Sequence, residues 1–310
     1  MTRNWIFRPE PEAATPPFAA WAERLEVSEL IVRLLWRRGV GSVDDMALYL
    51  SPNLRHLAPL AEWPGLEQSA STLTDGLLAG LPFAVWGDYD VDGVTSAALV
   101  KGVLAHHGIA AAHHIPDRRE EGYGLNVAWV ERLAEQGVRL LLTVDCGISD
   151  VEPVRRAREL GMTVVVSDHH MPPDALPDAH AICNPRLAEC PCPALAGVGV
   201  SFLVMAAVNA ALAERTGKKA DMRDFLDLVA LGTLADVVNL HGQNRILVKN
   251  GLLKIAEAGR PGMAALKTVS GYNPTAAIGA GQVVFGLAPR INAAGRMGKA
   301  ELALQLLLTD

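Results

Sequence analysis

The chain has 310 residues, half of them hydrophobic and a fifth charged, with a formal net charge of −6. That is room for one large or two modest domains around a sizeable core, and it excludes wholesale disorder. The opening MTRNWIFRPEPEAATPPF has no apolar stretch of the signal-peptide kind, and no later run reads as long and charge-free enough to span a bilayer.

In chain order, residues 1–20 are rich in proline and alanine and read as irregular. From about Val27 to Leu60 the pattern is helical, with Ser28 and Ser42 as N-cap candidates, and 65–79 reads as another helix. The rhythm then changes. Apolar runs at 82–88, 110–115, 139–145, 162–168 and 180–183 read as strands, separated by helical patterns at 94–107, 126–137 and 151–161. Strands alternating with helices, apolar on both faces, imply an α/β fold: a parallel sheet flanked by helices, with right-handed crossovers. After Pro193 the chain turns helical, through 197–217 and 222–236, and stays mostly helical to Asp310. The expected organisation is an N-terminal helical region over 1–62, a catalytic α/β domain over 63–240 and a helical extension over 241–310.

Four cysteines fit a reducing compartment, and a cytoplasmic protein is expected. Cys190 and Cys192 form a C-x-C with no second pair nearby, and read as loop and core residues rather than zinc ligands. Charge is unevenly placed. From Val237 to Lys299 there are eight bases (Arg245, Lys249, Lys254, Arg260, Lys267, Arg290, Arg296 and Lys299) against one acid, Glu257, so that stretch carries +7 and the remainder −13. A phosphate-tracking surface beside an acidic site would produce this asymmetry.

Chemistry concentrates at four places. In GDYDVDG, Asp88, Asp90 and Asp92 alternate after an apolar run. In an extended chain such positions point the same way, and three like charges on one side repel unless cations sit among them. A calcium loop of the EF-hand type is excluded, because its twelfth position is Leu99 rather than glutamate and the preceding segment is a strand. TVDCG places Asp145 at the end of the next strand. VVVSDHH places Asp168, His169 and His170 at the end of another, and LGTLAD ends a helical run on Asp236. Ligands of open parallel sheets bind beyond the carboxyl ends of the strands, so three strands deliver acids and imidazoles to one edge, which makes a metal site. His106, His107, His113 and His114 lack acidic neighbours along the chain and read as helix-end and strand-edge residues.

DYDVDG, TVDCG, SDHH and GTLAD resemble, in order and context, the four motifs of the DHH phosphoesterase superfamily. Within it, IPDRREEGYGLN (115–126), GLAPRINAAGRMG (286–298) and the helical region ahead of the first motif resemble the single-strand exonuclease members. The resemblance implies Asp90 and Asp92 as metal ligands, Asp145 bridging two cations, and His169 and Asp236 completing one site. Asp88 would orient the site or bind through water. His170 would contact the scissile phosphate, with Asp168 supporting the histidines. Oxygen-rich sites suit Mg²⁺ or Mn²⁺, and an imidazole favours Mn²⁺. Two cations about 3.5–4 Å apart activate a water and neutralise the phosphate.

Arg118, Tyr123, Arg290, Asn292 and Arg296 are the candidate substrate contacts, the arginines as phosphate forks and the tyrosine as a base or sugar platform. The function implied is a 5′→3′ exonuclease on single-stranded DNA, releasing 5′-mononucleotides in recombination and repair. Single-strand-binding protein and a RecQ-type helicase are the implied partners, with no membrane. The competing readings are a DHH phosphodiesterase for oligoribonucleotides or cyclic dinucleotides, an inorganic pyrophosphatase, and a non-catalytic replication scaffold. The exonuclease-like segments weigh against the enzymes, and the retained ligands against the scaffold. Superfamily members continue through a long helix into a glycine-rich second domain. No Gly-Gly-His motif of that domain is present, so the metal site is expected to be complete and the substrate clamp incomplete.

Overall fold

The computed structural model describes residues 16–309, and the chain divides into two compact units, 1–56 and 57–310. Most of the proline- and alanine-rich segment, 1–15, lies outside the described residues. The rest of that segment is not irregular as expected. Helix α1 (Phe18–Leu25) begins at Phe18, because Phe18 and Ala22 recur one turn apart and are buried together. In the same unit, α2 (Glu29–Trp36) and α3 (Val43–Leu50) follow. Ser42 caps α3 by accepting from the Asp45 amide, whereas Ser28 precedes α2 without a side-chain cap bond. The core of the first unit is Phe18, Val32, Leu35, Trp36, Val40 and Met46, with Trp36 edge-on to Phe18.

The second unit is the α/β domain. In chain order it runs α4 (Leu66–Leu78), β1 (Phe83–Gly87), α5 (Val91–His106), β2 (Ala111–His114), α6 (Val127–Glu135), β3 (Leu140–Val144), α7 (Val151–Glu159), β4 (Thr163–Ser167), β5 (Ala181–Cys183), α8 (Gly197–Thr216), α9 (Leu226–Ala235), α10 (Gly242–Glu257), α11 (Pro261–Val269), α12 (Ala280–Gln282), a π-helical turn at Val283–Leu287, α13 (Ala288–Arg296) and α14 (Ala300–Leu308). The five strands are parallel, in the order β2-β1-β3-β4-β5. Strands β1 and β3 are buried along their whole length, as apolar runs covered on both faces must be.

Two features of this sheet place the site. The chain leaves β1 for β2 on one side and returns to β3 on the other, so the crevice at which the strand order reverses lies between the carboxyl ends of β1 and β3. The register is also level: Gly87 pairs with Val144, and Val144 with Ser167. The next residue on each strand is Asp88, Asp145 or Asp168, so three acids from three motifs stand in one row.

Helix α8 revises one expectation. It is twenty residues long and, by length and composition alone, apolar enough to cross a membrane, with a mean hydropathy of 1.6. Two-thirds of that window (67%) is buried, against α4, α5 and α9. A helix apolar all round that is packed on several sides is a core helix.

The histidine pairs also have partners the linear sequence does not show. His113 Nε2 lies 2.9 Å from Glu301 and His114 Nε2 2.7 Å from Glu121, while the His114 ring stacks between Trp86 and Trp129. His107 Nε2 meets Asn209 Oδ1 at 2.8 Å.

Helix α9 ends on Asp236, and its height is set by α10, which crosses it at Gly251. A β-carbon there would stand 2.2 Å from the Leu226 carbonyl oxygen and 2.5 Å from Ala230 Cβ, inside contact distance. Gly251→Ala is therefore expected to destabilise the domain by about 1–3 kcal/mol, the range for overpacking, read as a lowered midpoint in thermal or urea unfolding against wild type.

Candidate metal centre

Asp88 follows β1 directly, but the alternation Asp88, Asp90, Asp92 does not work as an extended strand would make it. Helix α5 starts at Val91. Asp90 is its N-cap, with a carboxylate oxygen accepting from the Gly93 amide at 3.0 Å, and Asp92 lies in the first turn. The strand reading of this motif is thus corrected: three consecutive conformations, rather than a shared strand face, aim the three carboxylates. Asp92 is turned inward. Its two oxygens accept from the Gly197 and Val198 amides, each at 2.8 Å, at the start of α8. A carboxylate on a helix N-terminus is stabilised by the free amides and the helix dipole.

The same end of α8 presses on Asp145. A β-carbon on Gly197 would lie 2.3 Å from Asp145 Oδ1, so only glycine lets the helix come this close. Asp145 itself is held at φ 60°, in the left-handed region uncommon for a non-glycine residue, with its amide donating to the Ser167 carbonyl at 2.9 Å. Val237, next to Asp236, is also left-handed at φ 62°. Two such positions at the site store backbone strain that the surrounding packing holds in place.

The ligand atoms fall into overlapping sets. One atom each from Asp88, Asp90 and Asp145 lie within 4.8 Å of one another, as do one each from Asp92, His169 and Asp236. Asp145 also joins His169 and His170 in a third set, and its Oδ1 is 3.2 Å from His169 Nε2. Asp145 therefore stands between the other two sets. No cysteine enters any set among the described residues, and Cys146, Cys183, Cys190 and Cys192 are free thiols.

The electrostatics are those of a site built for cations. Burial, then the Asp90 charge, raises the Asp88 carboxyl to about 7. Burial and Asp90 raise Asp236 to about 6. Burial and neighbouring aspartates push Asp92 and Asp145 well above the usual carboxylate range, against the amide bonds that Asp92 receives. His169 is held down to about 4, first by burial and then by His170, so its imidazole is neutral and able to ligate. Asp88 Oδ1, Asp145 Oδ1, Asp236 Oδ2 and His169 Nε2 are buried and make no hydrogen bond, the 3.2 Å approach of Asp145 Oδ1 to His169 Nε2 not being aligned as one. Unsatisfied buried polar atoms are costly, and four converging on one place fit divalent cations. A mostly oxygen set with one imidazole suits Mg²⁺ or Mn²⁺.

Asp168 plays another part. It is fully buried, and its oxygens accept from the amides of Ile148, His169 and His170 and from His170 Nδ1 at 2.8 Å. Burial pushes this carboxyl up, but the bond and charge of His170 with the backbone amides outweigh it and hold the group below its usual value. In return the Asp168 bond raises His170. Asp168 thus orients the histidines and does not line the cleft. Tyr123 Oη donates to the Asp145 carbonyl and lies 3.2 Å from His170 Nδ1.

A cleft of about 330 Å³ opens over this centre, lined by Asp88, Tyr89, Asp90, Arg118, Tyr123, His170, Asn292 and Arg296. Arg118, Arg119 and Arg296 line an adjoining concavity, and the Arg118 guanidinium lies over the Tyr89 ring, 5.2 Å from its centroid. Asn292 and Arg296 reach the cleft because α13 runs against the first motif: a β-carbon on Gly295 would meet the Tyr89 carbonyl oxygen at 2.3 Å.

Arg290 is not brought there. Its guanidinium donates to the Gly286 and Val269 carbonyls, and it lines neither concavity. The basic stretch is likewise less available than its sequence suggests. Lys254 pairs with Asp224 and Glu257, Arg260 with the buried Asp227, and Lys267 is fully buried, donating to the Ile255 and Ala276 carbonyls. Sequence reasoning pointed to Arg119 beside Arg118 as a phosphate contact but missed Tyr89, Gly197, Asn184 and Arg186. The last two follow the edge strand β5 and hold the His169–His170 backbone: Asn184 Nδ2 donates to the His170 carbonyl, and Arg186 Nε to that of His169.

The model of the DHH family, N-terminal domain, matches residues 82–233. These residues form a domain of the DHH family. Among curated proteins it is similar to the single-stranded-DNA-specific exonuclease RecJ of Salmonella typhimurium, 40% identical over 295 residues covering 92% of this chain and 50% of the relative. The protein of the same name from Thermus thermophilus is 40% identical over 303 residues, covering 95% of this chain and 42% of the relative. The manganese complex of RecJ from Thermus thermophilus superposes with a TM-score of 0.77 at 37% identity, covering 96% of this chain and 42% of that one. Another exonuclease RecJ bound to manganese gives 0.71 at 40% identity, covering 81% and 63%. The chain spans about half the length of the curated relatives it matches.

The pH dependence of stability follows from the raised carboxyls. A carboxyl whose folded pKa exceeds its unfolded value stabilises the fold at low pH and loses that contribution as pH rises through the folded value. His169, held down to about 4, works the other way, but four raised carboxyls outweigh it, so in chelator thermal stability is expected to fall as pH rises from about 4 to about 7, the window set by Asp88 and Asp236. Added Mn²⁺ should restore it at pH 7 and have little effect near pH 4. Scanning calorimetry across this range, with and without Mn²⁺, checks both statements.

Proposed function

We propose that this chain is the catalytic part of a metal-dependent phosphodiesterase that shortens single-stranded DNA from its 5′ end, releasing 5′-mononucleotides. The observation that carries the reading is the set of unpartnered ligand atoms from Asp88, Asp145, His169 and Asp236 beneath a cleft walled by Arg118 and Arg296. Support for the substrate comes from the RecJ relatives, named for single-stranded DNA, and from the manganese and magnesium complexes of RecJ.

Asp88, Asp90 and Asp145 would hold one cation, and Asp92, His169 and Asp236 the other, with Asp145 between them. When bound, two divalent cations lower the pKa of water and neutralise a phosphoryl group. The chain supplies the remaining functions. Arg118 and Arg296 grip phosphate oxygens as forks. His170 faces the cleft with Nδ1 on Asp168, which leaves Nε2 to donate, in the doubly protonated ring, to a phosphoryl or departing oxygen, and the Asp168 bond favours that form by raising the pKa. Tyr123 holds the Asp145 backbone and the His170 ring in place.

A role in recombination and repair, association with single-strand-binding protein and a RecQ-type helicase, and a cytoplasmic location belong to the same reading. They rest on the resemblance to the relatives.

Digestion of a 5′-labelled single-stranded oligonucleotide with Mn²⁺ tests the function. Release of labelled mononucleotide is expected, absent on blunt duplex and lost by at least about 10³-fold in Asp145→Ala, the order for removing a group that acts with the metals. Hydrolysis confined to dinucleotides would replace single-stranded DNA with a small-substrate reading.

A further inference from the structure

Arg118 and Arg296 stand on the Asp88 and Asp90 side of the centre. Another guanidinium stands on its Asp236 side. Arg186 follows β5 in the segment Cys183-Asn184-Pro185-Arg186 and is exposed. Its Nε donates to the His169 carbonyl at 2.7 Å, and Nη1 to Met171 Sδ at 3.5 Å. Fully buried Asn184 fixes this arrangement from both ends: Oδ1 accepts from the Arg186 amide at 2.9 Å, and Nδ2 donates to the His170 carbonyl at 3.0 Å. The positive charge of Arg186 reaches both Asp236 and His169.

A guanidinium carries five N–H donors, and two are used here, so three remain. Among the described residues Arg186 makes no ion pair. It is anchored on a carbonyl, so its full charge is still available. The ordering of a long side chain, normally a cost of binding, has already been met by its neighbours. An anchored, unpaired guanidinium beside a metal centre suits a phosphate oxygen. A strand engaged by its 5′ end has further phosphodiesters on the 3′ side of the bond being cut, whereas a dinucleotide has only that one.

We propose that Arg186 is a phosphate clamp on the Asp236 flank, holding a phosphodiester of the strand other than the one hydrolysed. This inference rests on the proposed function above. Arg118 and Arg296 would then hold the reacting phosphate and Arg186 the strand on its 3′ side, so that long strands would be favoured over short ones by contacts outside the bond being broken.

The test is steady-state cleavage of a labelled single-stranded oligonucleotide by wild type, Arg186→Gln and Arg186→Lys between about 50 and 200 mM salt. Both variants lose the Nε bond to His169 and share any fall in kcat that follows; Arg186→Gln should in addition raise KM about tenfold relative to Arg186→Lys, the loss of one charge-assisted contact made equally in ground and transition states. The slope of log(kcat/KM) against log salt should also become shallower by about 0.7, the value of one phosphate on a single strand. Arg186→Lys keeps the charge and should keep most of the slope, although it loses the Nε bond to His169. A reduced kcat with unchanged KM and slope in both variants would overturn the clamp and leave Arg186 as a brace for the His169 loop. Failure of wild type to cut the oligonucleotide, with dinucleotides still hydrolysed, would sink the proposed function itself and the clamp with it.

Discussion

The mutual repulsion of buried carboxylates is the constraint on which the rest of this structure turns. Asp88, Asp92 and Asp145 are almost fully buried, and the Asp90 charge raises the proton affinity of all three, with Asp236 adding to it at Asp92. A fold does not gather such groups without compensation. Part of it is internal: two amides in the first turn of α8 satisfy the Asp92 oxygens, and Asp168 is satisfied by three amides and an imidazole. Asp88 Oδ1, Asp145 Oδ1 and Asp236 Oδ2 have no such partner, and cations are the compensation that fits them.

The architecture serves this placement. Level pairing of β1, β3 and β4 brings three strand ends to one height, and the reversal of strand order leaves the crevice there open. Glycines mark where helices close in. Gly197 lets α8 touch Asp145, and Gly295 lets α13 lie against Tyr89, carrying Asn292 and Arg296 to the cleft from the far end of the domain. The strain at Asp145 and Val237 falls beside ligands, where a fixed backbone is worth its cost. The tie from Asp168 through His170 to Tyr123 links motif residues to a turn outside the motifs, so the cleft wall and the metal ligands are positioned together.

Much of this was legible in the sequence, for a simple reason. An apolar run that ends on an acid announces both a buried strand and its carboxyl end, which is how Asp88, Asp145 and Asp168 could be read. The five-stranded parallel sheet followed from the same rhythm. What the sequence hid was tertiary. Nothing along the chain shows that α5 starts at Val91 and turns Asp92 toward amides more than a hundred residues away. Composition counted Lys254, Arg260 and Lys267 as a basic surface, but acids and carbonyls from other elements consume them. Arg290 was misplaced and Arg186 overlooked for the same reason: a lone arginine in sequence carries no sign of which acceptor it meets.

Calorimetric titration of chelator-stripped protein with Mn²⁺ at neutral pH, beside Asp145→Asn, tests most directly whether the carboxylate cluster is a two-cation centre. Two ions per wild-type chain, with both weakened in Asp145→Asn because this residue stands between the two ligand sets, is the result expected. A single ion, or two that bind as tightly in Asp145→Asn as in wild type, would contradict it.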